Sequence, residues 1–247
     1  MPTTYRVLTI FFIVCGLMAV SACVPFRRAA EETSEPERPE SDPESSAKEA
    51  LDSIQIERDA HRRQAMIESF LARWPHSRYV APCIAVELAT IAEVDGSDAA
   101  AERASRREIE YPDDPRVLRI VAECLLESGL HDARALELAR NALVMDRAGI
   151  GPFRHPDESP TTTRERETLY YLTWIRALTA NDLWSEALAA CEDALKRVPN
   201  NDAGLICAIH RRQGDALAGA DRLEEAASAY LQAVRWGDPR NRHTRAS

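Results

Sequence analysis

The chain predicts an all-α fold, a solenoid of about five stacked helical hairpins, and two observations predict it. Short segments notched with alanine recur between residues 47 and 240, each running into a Pro or Asp turn. Ahead of them lie segments with apolar residues at i, i+3, i+4 and i+7, the spacing of a single helix face. A fixed succession of such pairs is the signature of helical hairpins that bury their apolar faces on one another.

The first 22 residues hold one cation, Arg6, and no acid, and residues 7–20 ("VLTIFFIVCGLMAV") are almost wholly apolar. This run is shorter than the roughly 20 residues a stable bilayer-spanning helix needs. A charged start, a short apolar core and small residues at the end describe a secretory signal peptide over residues 1–22. The segment closes on Val20-Ser21-Ala22-Cys23: an aliphatic residue, two small ones, then cysteine. This resembles the lipobox of bacterial lipoproteins. The resemblance implies that Cys23 becomes the first mature residue and carries acyl chains. It also implies outer-membrane sorting, because Val24 stands where an aspartate would favour the inner membrane. An ordinary cleaved signal peptide and an uncleaved anchor remain the alternatives. Two or more chains on one residue would hold lastingly, since each buried CH₂ contributes about 0.8 kcal/mol.

Residues 23–247 carry 30 bases against 40 acids, a net charge of −10. An acidic, aromatic-poor chain argues against general nucleic-acid binding, which needs a basic surface. Four cysteines lie beyond Cys23: Cys83, Cys124, Cys191 and Cys207. None forms a C-x-x-C, so their spacing matches no zinc pattern. Each falls on or near the apolar stripe of a helix, which favours buried free thiols. If one bridge forms, Cys191 to Cys207 is the best placed, on consecutive helices. Residues 23–46 read as the acylated cysteine and a tether rich in Glu, Pro and Ser. That segment has too little apolar surface to offset its ordering entropy. Pro36, Pro39 and Pro43 stiffen it and like charges extend it.

The alanine notches are Ala135/Ala139/Ala142, Ala187/Cys191/Ala194 and Ala226/Tyr230/Ala233. Small residues at these offsets let helix axes approach, while larger neighbours fill the grooves. The preceding faces are Leu118/Val121/Ala122/Leu125, Tyr171/Trp174/Ile175/Leu178 and, more weakly, His210/Gln213/Gly214/Leu217. Together these resemble the tetratricopeptide (TPR) repeat, whose second helix carries small residues where the two helices touch. Gly214 stands where that pattern prefers glycine, and Asp221 falls at the turn. Two more degenerate units precede, residues 81–114 with Ala100, Ala104 and Pro112, and residues 47–78 with Ile67, Phe70 and Pro75. "FLARWPHSRYVAP", residues 70–82, resembles a hallmark of envelope TPR proteins, with Trp74 in place of the usual Tyr. Between the third and fourth units, residues 147–167 form an irregular insertion. Gly149, Gly151, Pro152, Pro156 and Pro160 forbid a continuous helix there. Phe153, Arg154 and His155 are its most adhesive residues. Residues 241–247 are a short basic tail.

The chain contains no H-E-x-x-H, P-loop, Rossmann glycine run, calcium loop or nucleophile motif. Its six histidines are scattered, and its acids suit helix solubility and i, i+4 pairing. The reading is therefore of a non-enzyme without cofactor, metal site or identified small-molecule substrate. The TPR resemblance implies a groove lined by first helices. Its groove positions map onto Arg116, Arg119, Glu123 and Leu126 in the third repeat. In the fourth they map onto Leu169, Leu172, Arg176 and Thr179, and in the fifth onto Ala208, Arg211, Asp215 and Ala218. Four arginines on one face of an acidic protein could pair with a carboxylate-rich peptide; simple solvation of a helix face is the plainer account. The implied function is a scaffold facing the periplasm, lipid-anchored in the inner leaflet of the outer membrane and holding a protein or peptide. The TPR lipoproteins of outer-membrane β-barrel assembly and the pilotin-like lipoproteins of type IV pilus biogenesis share these features. An envelope enzyme or regulatory subunit, acting through the 147–167 insertion or the groove, is the alternative.

Overall fold

The computed structural model describes residues 42–129, 132–151, 159–199 and 202–237. Among these residues the chain forms helices and no strand. The helices are α1 (Pro43–Ile56), α2 (Ala60–Arg73), α3 (Val80–Val94), α4 (Ser97–Glu110), α5 (Pro115–Ser128), α6 (Asp132–Ala148), α7 (Pro160–Ala180), α8 (Trp184–Arg197), α9 (Ala203–Gly219) and α10 (Leu223–Gly237). The expected tether, Cys23, the middle of the insertion and the basic tail lie outside the described residues, save for the end of the tether. Residues 42–46 were expected in the tether, yet 43–46 are the first turn of α1, with Asp42 accepting the Glu44 amide (3.2 Å). Proline opens a helix as readily as it breaks one, because the first turn needs no amide donor.

The start signals are legible residue by residue. The side chains of Asp59, Asp114, Ser159 and Asp202 each accept a backbone N–H two or three residues ahead. Each such cap satisfies one of the amides that a helix start leaves unpaired. Ends and turns also repeat. Among the described residues, the linking turns inside the second to fifth hairpins each hold one residue at positive φ: Gly96, Gly129, Asp182 and Asp221 in order. Glycine adopts this backbone freely, and Asp is among the few side-chain-bearing residues that tolerate it.

Successive helices pack along the chain from α2 onward, so the hairpins pile up in sequence order. In addition α3, α5, α7 and α9, the first helices of their hairpins, lie side by side. The notches explain the close approach. Ala100 and Ala104, then Ala135, Ala139 and Ala142, then Ala187, Cys191 and Ala194, are all buried. In the last hairpin the roles exchange: Ala226 and Ala233 are buried, whereas Tyr230 lies against Gly214. A Cβ at Gly214 would come within 2.6 Å of the Tyr230 ring, so glycine is the small partner there. The first-helix faces fill the rest of the core, with Leu118, Val121, Leu125, Tyr171, Ile175 and Leu178 nearly inaccessible.

The link between α2 and α3 explains the Phe70–Pro82 segment. Phe70 is buried, its ring centroid 5.2 Å from that of Trp74, and the Trp74 amide closes α2 on the Phe70 carbonyl (2.9 Å). Buried Ser77 then accepts the Tyr79 amide on its Oγ (3.1 Å), and its carbonyl accepts the Val80 amide that opens α3 (3.1 Å).

The insertion is shorter than expected. Residues 147 and 148 complete α6, and residues 160–167 are the first two turns of α7. Ser159 caps that helix and Pro160 sits at its start. Ion pairs fix this extension to α6: Arg166 Nε to Asp146 (2.7 Å) and Arg147 Nε to Glu167 (2.9 Å). Phe153, Arg154 and His155 lie outside the described residues. All four described cysteines are free thiols, so Cys191 and Cys207 do not bridge. Burial pushes the thiols of Cys83, Cys124 and Cys191 up to about 12, which keeps them protonated at neutral pH.

Candidate partner-binding surface

The adjacent first helices α5, α7 and α9 carry a ladder of charged and polar groups. On α5, Arg119 donates to Glu123 (2.6 Å) and lies 6.0 Å above the Tyr170 ring of α7. Glu123 also accepts the Thr173 hydroxyl of α7 (2.7 Å). One turn on, Glu127 accepts from Arg176 of α7 (3.3 Å). On α9, Arg212 donates to Asp215 (3.3 Å), which also accepts the Tyr230 hydroxyl (2.9 Å). Burial raises the Glu127 carboxyl above its usual range, against the pull of Arg176. Burial and the nearby Arg176 charge lower Arg212. The rungs therefore carry both signs, with Glu127 near Glu123 and Arg212 near Arg176, and are partly withdrawn from water, where each ion pair counts for more than on an open surface.

The carried-over groove positions divide on this geometry. Arg119, Glu123, Arg176 and Asp215 are members of the ladder. Arg116 is turned to the hairpin junction, where it makes two bonds to Asp114 (3.0 and 2.6 Å) and one to the Arg78 carbonyl (2.8 Å). Leu126 is buried in the core, and half-buried Leu172 packs against it. Leu169 and Arg211 are exposed. Thr179 spends its hydroxyl on the Arg176 carbonyl (2.8 Å), and Ala208 and Ala218 are half-buried. Three of the four arginines are thus engaged within the chain, and Arg211 is the one on open surface. Sequence reasoning missed Glu127, Thr173, Arg212 and Tyr170. All four follow a carried-over position by one residue, a register that the partner helix sets.

Tyr170 is buried, and its hydroxyl has no hydrogen-bond partner. Burial, with Asp146, pushes that phenol above its ordinary range, against Arg119. An unpaired buried hydroxyl costs about 1–3 kcal/mol. Tyr170→Phe is therefore expected to raise stability by about 1 kcal/mol in urea unfolding; a loss of that size would mean that the hydroxyl has a partner such as water.

A second depression lies between the second helices α6 and α8, with a volume of about 860 Å³. Trp174 and Leu178 of α7 line it, with Leu136 and Leu183 beside them and Glu137, Arg140, Glu186 and Asp193 around it. Neither surface joins a nucleophile to a base. Among the described residues, no group of three His, Cys, Asp or Glu is placed to hold a metal ion, and no helix is long and apolar enough to cross a membrane. Both surfaces present charged groups beside half-buried apolar side chains. Comparison with protein-family models, with curated proteins and with solved structures gives no match for this chain.

Proposed function

We propose that the protein is a non-catalytic interaction scaffold, a TPR-like lipoprotein held at the outer membrane through acylated Cys23, that gathers protein partners for envelope or outer-membrane protein assembly. One observation supports this reading above the rest: hairpins stacked in chain order set α5, α7 and α9 side by side, with charged and polar pairs joining α5 to α7 and a further pair on α9. A surface assembled from repeated helices suits an extended peptide better than a compact substrate. The presence of both signs argues for a partner of mixed charge, with exposed Arg211 as a contact for a carboxylate.

The test is crosslinking in cells, followed by mass spectrometry, with three variants. Arg211→Glu is expected to reduce capture of the crosslinked partner about tenfold without altering the melting temperature. Arg119→Glu with Arg176→Glu sets new carboxylates against Glu123 and Glu127, and is expected to abolish capture. Cys23→Ser is expected to release the chain from the membrane fraction. Undiminished capture by both arginine variants would remove the ladder from the binding surface. Turnover of a small molecule by the pure protein would favour an enzyme.

A further inference from the structure

The last helix carries an apolar stripe that no described residue covers. On α10, Ala226, Ala229 and Ala233 are buried. Around the helix, Leu223, Leu231 and Val234 are 63%, 60% and 67% exposed, and Ala227 is exposed between them. These four stand at i, i+4, i+8 and i+11, one line along a helix. Of the other large exposed apolar residues, Tyr230 is also on α10, where its ring lies against Gly214, and the rest are spread singly over other helices and a turn, as is ordinary for a soluble surface.

Charge placement selects the occupant. Glu224 in the first turn and Arg235 in the last lie on the same flank of this stripe. When two copies of a helix pair antiparallel about a twofold axis, equal flanks meet. Glu224 then faces Arg235 of the other copy, twice over. Leu223 meets Val234 and Ala227 meets Leu231 across the axis, so a small residue receives a large one. A parallel pairing brings opposite flanks together and sets neither Glu224 nor Arg235 against its complement. An anionic membrane would be repelled by the acidic first turn. We infer that α10 is a homodimerisation helix, which pairs antiparallel with α10 of a second copy through Leu223, Ala227, Leu231 and Val234. The contact is a single helix about 22 Å long, so the dimer is weak, with a Kd of roughly 10 µM.

Sedimentation equilibrium tests this on the full chain in a density-matched neutral detergent, so that only protein mass is read. A concentration-dependent rise to twice the chain mass is expected. Leu231→Glu with Val234→Glu, both on exposed positions, should raise the Kd by about 100-fold or more at an unchanged melting temperature. Glu224→Arg should raise it about tenfold, and adding Arg235→Glu to the same chain should restore it. Monomer at about 100 µM, ten times that Kd, would overturn the proposal. So would a dimer indifferent to the Leu231 and Val234 changes, or a charge swap that fails to restore association. Loss of binding to phosphatidylglycerol vesicles by the double-Glu variant, with the parent monomeric, would assign the stripe to a membrane instead.

Discussion

Glu87→Ala is expected to cost about 3–5 kcal/mol of stability, a fall of about 10 °C in melting temperature for a folded region of this size. Glu87 lies on α3 and is 1% exposed. Arg107 of α4 grips both its oxygens, Nη2 to Oε1 at 2.7 Å and Nε to Oε2 at 2.8 Å. Arg103 adds a longer contact at 3.4 Å, and Arg107 also bonds Glu110. Burial by itself would lower the Arg107 guanidinium; the hydrogen bonds and charge of Glu87 reverse that and raise it. Taking Glu87 away leaves a buried cation with only the half-exposed Glu110 and costs far more than a surface pair would. The companion variant Glu87→Met with Arg107→Met removes both charges and is expected to recover most of the loss. Differential scanning calorimetry on the three proteins decides it; a loss under about 1 kcal/mol for Glu87→Ala would mean that water reaches the pair.

Ala139→Leu combined with Ala142→Leu is expected to destabilise by about 2–6 kcal/mol. Both alanines are buried on α6 where it meets its neighbours. Leucine is a good helix former, and in a loosely packed bundle the added carbons would bury apolar surface and stabilise. In a notch already filled they must push two helices apart. The sign of the change in urea midpoint therefore separates close-packed stacked hairpins from a slack bundle, and a gain in stability would refute the notch argument.

Several features were open to reading because they are local. Asp114, Ser159 and Asp202 cap helices with their own side chains. Ala135, Ala139 and Ala142 repeat at helical spacing, and all three are buried. Gly214 is small because Tyr230 lies against it, a pairing hinted at by an aromatic in the notch of the following helix. The surface was less legible. Arg116 and Arg211 are both carried-over groove positions, yet Asp114 and the Arg78 carbonyl claim the first, while the second is on open surface. Thr173 and Arg212 each fall one residue beyond a carried-over position, a shift of about 100° around the helix, and periodicity cannot resolve that on helices wrapped by neighbours on several sides. Pro160 misled for a related reason: its effect depends on whether an amide partner was needed, and at a capped start none is.

The order of hydrophobic spacing, small residues and caps in the sequence determined that this chain makes helices, where most of them begin, and which stripe each would bury. These depend on contacts within a few residues and are written directly in the chain. Which charges meet was decided by the tertiary structure: Glu87 with Arg107 across a hairpin, Glu123 with Thr173 and Glu127 with Arg176 between neighbouring hairpins. Such pairs depend on the rotation and rise of one helix against another. A shift of a single residue there moves a charged tip by several ångströms while leaving the apolar pattern of either helix intact.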